Sequence, residues 1–137
     1  ALSLPKLFKL DEMQIDYYPP NRPLEIGKSM IITHGELARK GAGSTARGHR
    51  DKYNSSVLIG HIHRGSVAYQ RTRTTQQLLI ENPCLCEMDV EYGNFFDWLQ
   101  GFTQLTYYPD GGITAHTHAI INHKLITMDG KVYESRD

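Results

Sequence analysis

Two histidines separated by a single isoleucine, His61 and His63, follow the apolar run "VLI" and Gly60. In an extended chain, residues i and i+2 point the same way and stand about 6.6 Å apart. The two metals of a dinuclear site lie about 3.5–4 Å apart, and metal–nitrogen bonds are near 2.1 Å. Two such imidazoles can therefore each serve a different metal of one pair. Gly60 removes a side chain where the backbone must come close. A third histidine, His34, follows the apolar run "MIIT" and precedes Gly35. Three imidazoles thus stand at the ends of two expected buried strands. In α/β architectures sites form beyond the carboxyl ends of strands.

The remaining histidines carry less. His116 and His118 form a second H-x-H pair in mid-strand and read as a solvated strand face. His49 and His123 are unpaired in sequence. Cys84 and Cys86 would share one face of a strand. Zinc sites usually show two such cysteine pairs, so this single C-x-C reads as two buried, reduced thiols.

These residues need elements to position them. A chain of 137 residues suits one domain with a real core. "SLPKLFKLDE" at 3–12 has a cap-like Ser3, an early Pro5 and a rough helical stripe of Leu4, Leu7, Phe8 and Leu10. "YYPPNRP" at 17–23 is too rich in proline for helix or central strand. "LEIGKSMIITHG" at 24–35 reads as two strands joined at Gly27-Lys28. Residues 36–53 are helix-competent but interrupted by "GAGS" at 41–44, which predicts two short helical pieces or one helix after a loop. "SSVLIG" at 55–60 reads as a buried strand, and 66–72 with 76–81 as a hairpin. "YGNFFDWLQGF" at 92–102 reads as a docking loop or short helical turn. The remainder alternates at period two, with turn signals at "PDGG" and "MDGK", and predicts an antiparallel meander. The class is α+β with more strand than helix.

Net charge is zero, which gives no bulk attraction to nucleic acid. Locally, Arg39, Lys40, Arg47, Arg50 and Lys52 outweigh Glu36 and Asp51 across 36–52. That stretch is either a phosphate-attracting rim or a solvated helix face. Residues 81–99 hold Glu81, Glu87, Asp89, Glu91 and Asp97 and no Lys or Arg. No apolar run approaches the roughly 20 residues of a membrane helix, and "ALSLPKLFKL" lacks the apolar stretch of a signal peptide. The expectation is a cytoplasmic protein.

"IITHG" followed by "VLIGHIHRG" resembles the C-terminal half of calcineurin-like metallophosphoesterases. With "RKGAGSTARGHRDKY" between the motifs and "ENPCLC" and "WLQGF" after them, it looks like a branch of that family found in bacteriophages. The resemblance runs from residue 1 to about residue 134. It implies the C-terminal part of a two-sheet αββα sandwich with a dinuclear metal centre at the strand ends. It implies that His34 and His61 bind the second metal and His63 the first. It also implies hydrolysis of phosphate mono- or diesters, with nucleic acid, nucleotide, phosphoprotein and small phosphodiester all open as substrates. Imidazole ligands suit manganese, iron, zinc or nickel better than magnesium, and manganese is expected. Arg64, next to His63, stands where it can contact a substrate phosphate or remain a solvated charge. Arg39 and Lys40 stand at the edge of the mouth.

The departures from that family are as informative. The chain contains no D-x-H and no Gly-Asp, and its single Gly-Asn, Gly93-Asn94, is followed by Phe95 and Phe96. The bridging aspartate and the histidine that would protonate a leaving group are therefore missing, so no catalytic residue is assigned. The expectation is one piece of a larger enzyme: a fragment, a split gene product or the remnant of a precursor. Its missing motifs would come from the N-terminal half or another polypeptide, or it would pair with a second copy. The rival expectation is an inactive half-fold serving as a protein-interaction module, or as a nucleic-acid-binding module through 36–52.

Overall fold

The computed structural model describes residues 3–19, 21–88, 91 and 96–135. Strands outnumber helices, and they form two sheets. The first sheet runs β1 (Leu24–Ile26), β2 (Met30–Thr33), β3 (Ser56–Ile59), β4 (Ser66–Arg71) and β5 (Gln76–Glu81), in the spatial order β1-β2-β3-β5-β4. β2, β3 and β5 are mutually parallel, while β1 and β4 pair antiparallel at the edges. The second sheet is an antiparallel meander of β6 (Gln100–Tyr107), β7 (Ile113–Ile121), β8 (Lys124–Ile126) and β9 (Val132–Glu134). Asn122 and His123, both at positive φ, make the two-residue turn between β7 and β8, the conformation tight hairpins demand. His123 is thus a turn residue.

Side-chain alternation divides the core in two. Ile31, Val57, Ile59 and Leu79 face Ala46 and Tyr53 of helix α2 (Ser44–Tyr53). Met30, Ile32, Leu58, Leu78 and Ile80 face Leu105, Ile113 and Ala115 of the second sheet. Among the described residues the layers are helix, sheet, sheet. The central strand β3 is covered on both faces, which explains its unbroken apolar run.

Residues 36–43 form a loop ahead of the single helix α2, one of the two arrangements expected. α2 begins after Gly43, a left-handed residue with no side-chain cap of its own. Its cap comes from β5. The Glu81 carboxylate, fully buried, accepts hydrogen bonds from the backbone N–H groups of Gly43 (2.8 Å), Thr45 (2.9 Å) and Ala46 (3.2 Å) and from the Ser66 hydroxyl (3.1 Å). A carboxylate at a helix N-terminus satisfies orphan donors and complements the dipole.

The N-terminal stripe departs from expectation. A helix, α1, covers only Leu4–Leu7, and Ser3 makes no side-chain cap bond. Lys9 takes positive φ, which ends the helix, and none of its residues is buried. An amphipathic stripe holds a helix only where its apolar face packs. Of the aromatic stretch at 92–102, residues 92–95 lie outside the described residues; Gln100–Phe102 open β6. No helix among the described residues is long and apolar enough to cross a membrane.

Candidate metal centre

Three parallel strands end at one edge of the first sheet, and each delivers a metal-type donor just beyond its last residue. β2 delivers His34, β3 delivers His61 and His63, and β5 delivers Cys84 and Cys86. The ends are stitched together. The Gly60 N–H donates to the His34 carbonyl (3.1 Å), and the Asn82 N–H donates to the Ile59 carbonyl (2.7 Å).

The backbone at 60–64 is not extended, which corrects the premise that His61 and His63 share one strand face. Both take positive φ, +62° and +58°. The Ile62 N–H donates to the Gly60 carbonyl at 2.7 Å, so His61 is the centre of a three-residue turn of the rare positive-φ kind. Non-glycine residues held in this region store strain and cluster at functional sites. Ile62, 9% exposed, joins the helix-facing core and anchors the turn. The two imidazoles make their contacts with different partners.

His61 turns to His34. The His34 Nε2 and His61 Nδ1 atoms are 3.2 Å apart, with the rings edge to face. His63 turns to Trp98 (centroids 4.5 Å apart) and to the cysteines, with Nδ1 3.9 Å from Cys86 Sγ. Packing around its ring, then the charges of His61 and His63, hold the His34 imidazole below the ordinary histidine range. Two imidazole nitrogens on one ion, at metal–nitrogen bonds near 2.1 Å, stand about 3.0–3.4 Å apart. The His34–His61 pair fits a single ion.

His49 places the His34 loop. It is 1% exposed; its Nδ1 faces the Thr45 carbonyl (3.0 Å) and its Nε2 accepts the Glu36 N–H (3.2 Å). Gly35, between His34 and Glu36, has φ +95°, and a Cβ there would lie 3.4 Å from His49 Nε2 and 3.6 Å from His61 Cβ. Gly60 is not the tight position its place in the motif suggests. A Cβ there would stand 3.6 Å from the His34 carbonyl oxygen, ordinary contact distance. Outside this loop Glu36 pairs with Lys52, which holds the Glu36 carboxyl below and the Lys52 ammonium above their ordinary ranges.

The cations assigned to phosphate sit beside this edge. Arg39, Lys40, Arg64 and His61 line one cleft of about 390 Å³ with Asp97 and Trp98. Arg39 and Lys40 are exposed. Arg64 is not a free charge: its side chain is 12% exposed, and it binds Asp97 (3.2 Å), the Arg39 carbonyl and the Thr45 hydroxyl. It fastens the 39–45 loop to the H-x-H turn.

Two sequence expectations need correction. The cysteines are not a buried pair: Cys86 is exposed and Cys84 half-buried, because the chain leaves the sheet at Asn82. Burial first, then a hydrogen bond with Cys86, raises the Cys84 thiol above the ordinary cysteine range. Nor is the second H-x-H a solvated face. His118 is 8% exposed, stacks on Phe102 (4.9 Å), meets the His116 ring (4.4 Å) and hydrogen-bonds Gln104 (3.3 Å). Phe102 is its cross-strand partner on β6, and an aromatic there covers the imidazole. Gln104, His116 and His118 line a groove of about 570 Å³ on the second sheet with Asp129, Lys131 and Tyr133, and none of the strand-end histidines lines it.

Sequence reasoning did not place the cysteines in this cluster. The signal was present: "QQLLIE" followed by "NPCLC" repeats the strand-then-donor pattern of "MIIT-H" and "VLIG-H". Compared with known proteins, the chain matches no family model, no curated protein and no solved structure.

Proposed function

We propose that this chain contributes imidazole ligands to a metal-dependent phosphoesterase that hydrolyses phosphate mono- or diesters. The observation that carries the reading is the His34–His61 contact of 3.2 Å at the ends of adjacent parallel strands, opening on a cleft lined by Arg39, Lys40 and Arg64. His34 and His61 would hold one ion, and His63, which faces Cys86, would serve a second one. A bound divalent metal, manganese first among the candidates, supplies Lewis-acid polarisation of the phosphoryl group and activation of water. The chain's own part is positional. His49 fixes the His34 loop, Arg64 fixes the rim, and the exposed Arg39 and Lys40 draw the phosphate. Carboxylate ligands come from outside the sequence described, from another polypeptide or from further sequence of the same enzyme.

The test is manganese titration of the chain and of His34→Ala and His61→Ala, followed by electron paramagnetic resonance. Each substitution is expected to weaken binding at least about tenfold, the scale on which lost support at a metal site is felt. Unchanged affinity in both variants would sink the reading. The chain alone is expected to leave bis-p-nitrophenyl phosphate largely intact. Robust manganese-dependent cleavage by the pure chain would refute its dependence on outside ligands.

A further inference from the structure

We propose that His63, Cys84 and Cys86 form a site for one borderline-soft cation of the zinc class, with thiolate sulfur as the dominant ligand. The inference goes beyond the phosphoesterase reading: it shares only His63 with it, taking the ion at His63 to be of the zinc class, and it stands without that reading because the two cysteines have no part in it.

The donor set carries the chemistry. The three ligand atoms lie within 4.8 Å of one another, and Cys86 Sγ stands 3.9 Å from His63 Nδ1. In a tetrahedral site with zinc–sulfur bonds near 2.3 Å and zinc–nitrogen bonds near 2.1 Å, neighbouring donors stand about 3.6–3.8 Å apart. Side-chain rotation covers the difference. Thiolates and imidazole select zinc and its relatives over manganese or magnesium. Three protein ligands leave a fourth position open, the pattern of reactive rather than purely structural zinc. Cys86 is exposed, so solvent can reach the site.

The backbone prepares this arrangement. The Cys84 N–H donates to the Leu99 carbonyl (3.1 Å), and the Gly101 N–H donates to the Cys84 carbonyl (2.8 Å), a short parallel bridge onto the start of β6. The Leu99 N–H donates to the His63 carbonyl (2.9 Å), and the Gln100 side chain donates to the Cys86 carbonyl (2.9 Å). All three donor residues are therefore tied to Leu99–Gly101. Gly65 makes room for it: a Cβ there would lie 2.4 Å from Leu99 Cδ2 and 3.1 Å from Pro83 Cγ. A C-x-C pair serving only as reduced thiols needs no such framework. Binding displaces the thiol protons to solvent, and no electron changes hands.

The experiment is cobalt(II) titration of the full chain in a non-coordinating reductant. Sulfur-to-cobalt charge-transfer absorption in the near ultraviolet should rise to one equivalent and be bleached by zinc. Cys84→Ser and Cys86→Ser should each abolish it, His63→Ala should weaken cobalt binding at least tenfold, and His34→Ala should leave the band intact. A wild-type chain without the band, or a band that survives both serine variants, overturns the proposal. A second readout needs no variant. One equivalent of zinc should slow maleimide labelling of wild-type thiols at least tenfold, and unprotected labelling overturns the site equally. Failure of the manganese test with survival of the cobalt band would remove the phosphoesterase reading and leave this one standing.

Discussion

His49 is the buried residue on which the candidate centre hangs. Its Nε2 accepts from Glu36 N–H, and a backbone N–H can only donate; its Nδ1 faces a carbonyl, which can only accept. One neutral tautomer satisfies both bonds, and the loop carrying His34 is fixed by them. Replacing His49 by Ala leaves the Glu36 N–H and the Thr45 carbonyl short of partners and opens a cavity. A loss of about 2–4 kcal/mol is expected in urea unfolding, combining the hydrogen-bond and cavity penalties. Stability within 0.5 kcal/mol of wild type would show that the loop holds without it. Arg64 gives a second residue-scale prediction. Lys carries the same charge but lacks the planar fork that reaches Asp97, the Arg39 carbonyl and Thr45 together. Arg64→Lys should therefore cost about 1–3 kcal/mol; full retention of stability would make the residue a free surface cation after all. Residue types and spacing made His34, His61 and His63 legible as ligand-type residues. The directions of their rings were not legible. Those depend on positive φ at His61 and His63, and neither is the glycine that usually announces such a backbone. Gly60 marked the right place one residue early.

At the scale of elements, α2 owes its start to β5. Four hydrogen bonds converge on Glu81, and every one comes from distant sequence. Glu81→Gln keeps the shape but turns an amide N–H₂ toward N–H groups that can only donate. It should cost about 2–3 kcal/mol and lower the far-ultraviolet helix signal. Glu81→Ala should cost about 3–5 kcal/mol, the scale of several buried donors left without an acceptor. A thermal midpoint unchanged in both would show that Gly43 caps the helix unaided. Strands were read well because β-branched runs bounded by turn residues report on local geometry. The β1–β2 connection, the β4–β5 hairpin and the final meander all follow that rule. The stripe at 3–12 misled because periodicity states which face wants burial, not whether a surface exists to bury it. The pairing of β3 with β5 was also hidden, since spatial order is set by contacts between strands and not by any one of them. That pairing is what brings Cys84 and Cys86 to the histidine edge.

Taken as a whole, the molecule is open for its mass. It exposes 10228 Å², whereas a compact monomer of 15.6 kDa exposes about 7200 Å². The excess exceeds the roughly 1,600 Å² that a standard protein–protein interface buries from both partners. Exposed Leu4, Leu7 and Phe8 near the N-terminus and Ile126, Val132 and Tyr133 on the β8–β9 edge contribute to it. Association with a second copy or another polypeptide is expected. Light scattering with denaturing mass spectrometry should find more than one chain per particle. A monodisperse 15.6 kDa monomer with a cooperative thermal transition would instead make this a self-sufficient module. The borrowed cap on α2 has a further consequence, one of timing. Residues 44–53 leave the ribosome well before residue 81 does, so for that interval the helix has its sequence but not its anchor. A ten-residue helix is marginal in water. The nascent segment is therefore expected to be only marginally helical until β5 emerges, so that α2, although early in the sequence, is completed late.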